Sequence, residues 1–203
     1  MRVVKDFYNT YGTNSYLIYD EDSKEAYIID APSMVLEFDK IIKKKKLNVS
    51  YLLLTHGHYD HIVYANELRD KYGLKIVAHE KEKGLLEDSS LNLSKMFKGI
   101  DLTVKADIFL KDDGNFENKF DYIWSPGHTM GGISYIIDGK IFTGDSIFKE
   151  SIGRTDFPTG DYNLLINTIV TKLLTLDDDM LIYPGHGPNT RVSYEKQYNP
   201  FIR

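Results

Sequence analysis

From Thr55 the chain reads Thr-His-Gly-His-Tyr-Asp-His, so His56, His58, Asp60 and His61 put four metal-donor groups into six residues. They follow directly on the apolar run Tyr51-Leu52-Leu53-Leu54. Three imidazoles and a carboxylate crowded in this way incur a desolvation cost that a cation offsets, and mixed nitrogen and oxygen donors suit zinc or iron. The stretch predicts a strand whose end points its ligands at a metal. Any fold for this chain has to bring further donors to that strand end.

The rest of the sequence repeats the same local pattern of apolar strand, glycine turn and ligand. Tyr122-Ile123-Trp124-Ser125-Pro126-Gly127 leads to His128, Lys140-Ile141-Phe142-Thr143-Gly144 to Asp145, and Met180-Leu181-Ile182-Tyr183-Pro184-Gly185 to His186. The β-run sets the direction of each donor, and glycine lets the backbone turn sharply beside it. The sixth histidine, His79, also follows a strand but lacks the glycine turn. It reads as a hydrogen-bonded structural residue.

The charge balance points away from one class of partner. A net charge of -5 is opposite to the basic excess of a nucleic-acid surface. The run Lys43-Lys44-Lys45-Lys46 reads as the solvated end of a helix, where cations complement the macrodipole. The chain has no cysteine, no apolar segment of signal-peptide length at its start, and no stretch of membrane-span length. The expectation is one domain over residues 1–203, cytoplasmic, with no nucleic-acid or membrane partner. Exposed aromatics near the C-terminus, Tyr194, Tyr198 and Phe201, offer a subunit contact.

Periodicity supplies the elements around the ligands. Ser15-Tyr16-Leu17-Ile18-Tyr19 and Ala26-Tyr27-Ile28-Ile29-Asp30 read as a hairpin. A helix is predicted from about Ser33, capped by that serine, with Val35, Phe38, Ile41 and Ile42 on its buried stripe. Another begins near His61, carries Ala65, Leu68 and Tyr72, and ends at Gly73 before a strand over 75–78. A helix over 162–174 shows Leu165, Ile166, Ile169, Val170, Leu173 and Leu174 on one apolar face, with Asp161 at the cap. Residues 80–114 read either as helical turns forming a lid over the substrate or, in preference, as a plain connection with a small satellite core.

The donor set as a whole resembles the metallo-β-lactamase-fold hydrolases, whose His-x-His-x-Asp-His signature is complete as His56, His58, Asp60 and His61. The resemblance implies an α/β fold, a four-layer αββα sandwich. It assigns His56, His58 and His128 to a first metal, Asp60, His61 and His186 to a second, and Asp145 as a bridge between them. Asp30 and Asp156 are implied as residues that orient the ligands. Asp145 also sets the chain apart from the antibiotic-hydrolysing members that use cysteine as a ligand to the second metal.

Within that group, Gly144-Asp145-Ser146-Ile147-Phe148, Gly153-Arg154-Thr155-Asp156-Phe157-Pro158 and Pro184-Gly185-His186-Gly187-Pro188 look like glyoxalase II relatives. They are similar in particular to short bacterial members that end in a segment like Asn199-Pro200-Phe201, ahead of where full-length relatives continue into a helical glutathione-gripping domain. The implied cofactors are two divalent cations, zinc foremost, with iron or manganese as alternatives. Such a pair shares a bridging hydroxide, because a bound metal brings the pKa of water from about 15.7 to near 7. Asp60 and Asp145 hold and orient this nucleophile. The implied substrate is a small thioester, S-lactoylglutathione or a similar acyl-thiol. Arg154 either binds a substrate carboxylate or pairs with Asp156. Two other readings stand beside this one: a mononuclear iron persulfide dioxygenase using His56, His128 and Asp145, and a non-enzymatic module clipped by its metals.

Overall fold

The computed structural model describes residues 1–8 and 11–202. The chain gathers into two compact units, Met1–Ala78 with Lys83–Leu110 and His79–Glu82 with Lys111–Arg203. Each is built on its own six-stranded sheet.

The first unit orders its strands as they occur in sequence: β1 (Arg2–Tyr8), β2 (Thr13–Tyr19), β3 (Glu25–Ile29), β4 (Asn48–Leu53), β5 (Lys75–His79) and β6 (Ile108–Leu110). The first three meander antiparallel, whereas β3, β4 and β5 run parallel. Parallel neighbours need a crossover, and α1 (Leu36–Lys45), α2 (Tyr59–Ile62) and α3 (Ala65–Tyr72) supply it. With Ile28 beside Leu52 and Ile29 beside Leu53, the ends of β3 and β4 fall at one edge. That register brings Asp30 next to the histidine loop, and Asp30 N donates to Leu53 O at 3.1 Å. Leu17, Ile28, Leu52, Leu54, Phe38 and Leu68 form a fully buried core beneath the helices.

The first helix starts later than its periodicity predicts. Ser33 is not its cap: Ser33 Oγ accepts from Val35 N at 3.0 Å, and Val35 itself stands at the cap position with φ of 45°. A β-branched residue there costs about 1–2 kcal/mol. Its side chain is fully buried, and burying a valine returns roughly 1.5–3 kcal/mol, so packing outweighs backbone preference. The helix expected near His61 divides into α2 and α3, and Gly73 closes the second at φ 64° with its N–H on Arg69 O. Residues 83–110 hold two short helices, α4 (Lys83–Leu86) and α5 (Ser94–Lys98), before β6. Leu86, Val104 and Ala106 root this stretch in the core, while Met96 and Phe97 remain exposed.

In the second unit the strands are β7 (Gly114–Phe116), β8 (Phe120–Trp124), β9 (Ile133–Ile137), β10 (Lys140–Gly144), β13 (Leu181–Pro184) and β14 (Thr190–Arg191). A separate ribbon pairs β11 (Ile147–Phe148) with β12 (Ser151–Ile152). The sheet order is β14-β13-β10-β9-β8-β7. Because β9 is antiparallel to both β8 and β10, and β13 is parallel to β10, strands β8, β10 and β13 share one direction. All three therefore finish at the same edge, and each is followed by one of the predicted donors. Helix α6 (Tyr162–Thr168) starts at Asp161, whose carboxylate accepts from Leu164 N at 2.9 Å. Its continuation, Ile169–Leu173, widens into a π turn that closes on Leu174 N to Ile169 O. The added residue turns Val170 outward to 45% exposure, off the face the periodicity assigned to it. Leu165, Ile169 and Leu173 pack on Ile141 and Ile182 of the sheet, and α7 (Val192–Tyr198) ends the unit.

Candidate metal centre

In the first unit the motif leaves β4 and brings its four donors together at once. Ligand atoms of His56 lie within 4.8 Å of those of His58 and of His61, as do those of Asp60 and His61. The rings of His56 and His58 meet edge to face at 4.9 Å, and those of His56 and His61 at 4.2 Å. All three are buried.

Asp30 sets the proton positions of two of these rings. Its Oδ2 lies 2.7 Å from His61 Nδ1, and a carboxylate accepts, so that nitrogen carries the hydrogen. Thr55 Oγ1 donates to the same oxygen at 2.8 Å, so its 3.1 Å contact with His56 Nδ1 must take the proton from the imidazole. Both histidines thus keep a lone pair on Nε2, free for a metal. Thr55 N to Asp30 Oδ1 at 2.8 Å completes the hold. Asp30 has a φ of 55°, a conformation aspartate tolerates better than most residues, and the turn aims its carboxylate back at the loop. Ala31 N to His61 O and Tyr64 N to Ala31 O tie the two segments together. Asp60 has a partner of its own, the hydroxyl of Thr13 at the start of β2, at 2.6 Å.

In the second unit, His128, Asp145 and His186 follow the ends of β8, β10 and β13. Asp145 Oδ2 lies 3.7 Å from His128 Nε2 and 3.3 Å from His186 Nε2. His128 Nδ1 donates to the main-chain oxygen of Arg154 at 2.7 Å, which again leaves Nε2 as the donor. Glycine is obligatory at 153, because a Cβ there would stand 1.8 Å from the Asp145 carbonyl oxygen and 3.1 Å from His128 Nδ1. At Gly127, with φ of 132°, a Cβ would run into the Leu165 backbone.

Two donors bound at about 2.0–2.1 Å with a tetrahedral angle sit about 3.3–3.4 Å apart. The separations of 3.3 and 3.7 Å around Asp145, and 3.6 Å between Asp60 Oδ2 and His61 Nε2, are of that size. The donors within each unit fit a metal.

Sequence similarity agrees with the geometry. A family model described as the metallo-beta-lactamase superfamily matches residues 8–186. The chain belongs to the metallo-beta-lactamase superfamily. Its fold class is the α/β sandwich of that superfamily, whose members bind divalent metals and include metal-dependent hydrolases. The chain is 41% identical to the hydroxyacylglutathione hydrolase GloC of Haemophilus influenzae, over 93% of this chain and 92% of that protein. Among solved structures, the BLEG-1 B3 metallo-beta-lactamase matches with a TM-score of 0.91 at 34% identity, covering 99% of each chain. TTHA1623 in a di-iron-bound form matches with a TM-score of 0.85 at 25% identity, covering 98% of this chain and 99% of that one.

Arg154, open in the sequence between two roles, grips Asp156. Its Nε and Nη2 donate to the two carboxylate oxygens at 2.7 Å each, and its guanidinium stacks 3.6 Å over the Phe157 ring. The pair holds the Asp156 carboxyl down at about 2 and raises the guanidinium further. Asp156 is linked to the site through Arg154, whose carbonyl orients His128. His79 is buried and stacks on Trp124, 5.5 Å between centroids and 6° from parallel, and its Nδ1 accepts from Lys81 N. Burial, with Lys81 beside it, pushes its pKa down to about 4.

Sequence reasoning missed Thr13 and Thr55 as holders of ligands. Thr55 stands next to the first histidine and could have been weighed as its neighbour. Thr13 is 47 residues from Asp60, and nothing local marks it. No helix among the described residues is long and apolar enough to cross a membrane.

Proposed function

We propose that this chain hydrolyses small thioesters, acyl-thiols of the S-lactoylglutathione type, using two divalent cations held by His56, His58 and His128 on one side and Asp60, His61 and His186 on the other, with Asp145 shared. The observation that carries this reading is the full set of seven donors in a chain 41% identical to GloC. The di-iron form of TTHA1623 supports two metals, and zinc, iron and manganese all suit this donor set.

Cations bound there supply a nucleophile at neutral pH by acidifying water, and polarise the carbonyl to be attacked. The chain's own residues do the positioning. Asp30, directly and through Thr55, keeps His61 and His56 in the tautomer that offers Nε2. The Arg154 carbonyl does the same for His128. Thr13 fixes the rotamer of Asp60, so its carboxylate is pre-aimed rather than recruited during reaction. A thiolate leaves readily and needs no general acid from the protein. Arg154 already spends Nε and Nη2 on Asp156, so a substrate carboxylate would use Nη1 or displace Asp156.

Elemental analysis of purified protein, combined with a thiol-release screen over a thioester panel, tests this reading. Two metals per chain and release of thiol from a hydroxyacyl thioester are expected. One iron per chain, with oxygen consumption on a persulfide and no thiol release, would replace the proposal with the dioxygenase reading. Turnover of a β-lactam in place of every thioester would shift it toward the activity in BLEG-1's name.

A further inference from the structure

Within the first unit a half-open pocket of about 250 Å³ is walled by Tyr11, Tyr59, Tyr64, Pro32 and Val63, with Ser33 and the exposed Lys98 completing its lining. Each of the first five walls is a close chain neighbour of a residue that holds or is a metal donor. Tyr59 stands between His58 and Asp60, Tyr11 is two residues from the Thr13 that grips Asp60, Pro32 is two from Asp30, and Val63 and Tyr64 follow His61. The cavity is therefore the flank of the histidine loop, built from the same three segments that position it. Lys98 arrives from elsewhere, on the last turn of α5, which meets the Tyr11 loop: its Nζ lies 5.6 Å from the Tyr11 ring centroid, and Phe97 lies against the same ring at 5.9 Å.

The lining holds one cation and no carboxylate. Lys98 has no ion-pair partner among the described residues, whereas its helix neighbour Lys95 pairs with Asp101. Tyrosine faces and hydroxyls beside an exposed ammonium suit a ligand with an extended apolar or amide body and an anionic end.

Resting on the thioester reading above, we infer that this cavity seats the thiol-carrier arm of the substrate and that Lys98 selects carriers bearing a carboxylate. The acyl group then faces the donors, and the carrier lies along Tyr59 and Tyr11 with its carboxylate at Lys98.

The test compares the metal-loaded enzyme on two lactoyl thioesters, one of glutathione, whose carrier bears carboxylates, and one of N-acetylcysteamine, whose carrier bears none. The readout is the ratio of kcat/KM for the first over the second, in wild type, Lys98→Met, Lys98→Arg and Lys95→Met. Lys98→Met is expected to cut the ratio roughly three- to tenfold through KM for the glutathione ester, the range of one partly exposed charge contact, while Lys98→Arg retains it. Lys95→Met is expected to leave the ratio where it is, since Lys95 does not line the cavity. A wild type that hydrolyses both esters with a ratio indifferent to Lys98 overturns the cavity assignment alone. A wild type that releases thiol from neither overturns the thioester reading and this inference with it.

Discussion

Asp30 and His61 are joined by a 2.7 Å contact between two side chains that are both withdrawn from water. Because the carboxylate also accepts from Thr55, it governs the tautomers of two candidate-ligand rings at once. Asparagine tolerates the positive φ at this position, so Asp30→Asn tests the charge and the proton acceptor rather than the backbone. Partners of this kind are worth about 10–100-fold in metal affinity. Chelator competition on the variant should show a loss in that range; unchanged affinity would remove Asp30 from the site.

Thr13→Val keeps shape and removes the 2.6 Å hydrogen bond to Asp60. A hydrogen bond to a charged group is worth about 1.5–3 kcal/mol, equivalent to roughly a tenfold or larger change. We expect hydrolytic kcat/KM to fall by at least that factor with the fold retained by circular dichroism. A variant as active as wild type would show that Asp60 is held by other contacts.

Gly153→Ala should fail structurally. The new Cβ would meet backbone, the Asp145 carbonyl oxygen, so relief requires moving either the donor strand end or the Arg154 loop. Such strain costs roughly 3 kcal/mol or more. Gly139→Ala, where nothing lies within 4 Å but φ is 71°, should cost only about 1–2 kcal/mol. Thermal melts of the two variants should separate clearly, and equal melting temperatures would contradict the packing described around His128.

His79 gives the fold a pH dependence of known sign. Its folded pKa is pushed down to about 4, whereas an unfolded histidine titrates near 6.5. Between these values the unfolded chain binds a proton that the folded chain refuses. The contribution is thus complete above pH 6.5 and is lost as pH falls toward 4, on the order of 3 kcal/mol in all. Denaturant unfolding of wild type and His79→Phe should diverge over this window, the phenylalanine variant losing less stability. Parallel curves would mean that His79 does not stay neutral in the fold.

The candidate donors could be picked out in the sequence because their pattern is local. A β-rich run, a glycine and a ligand type sit within a few residues of one another at His56, His128, Asp145 and His186, and the strands are found where those runs lie. The same holds for Asp161 as a cap and Gly73 as a stop, each a short-range backbone effect. Local preference gave way at two points: the buried Val35 took the cap position expected of Ser33, and a π turn carried Val170 out of its apolar stripe into solvent.

What only the tertiary structure decided is which groups fix the donors in place. Thr13 meets Asp60 across 47 residues, Asp30 meets His61 across 31, and the Arg154 carbonyl meets His128 across 26. These contacts depend on strand register and on which strand ends share an edge. The order of residues along the chain does not encode that as a periodic signal, because it emerges only when the strands of each sheet are paired and the loops at their shared edge meet.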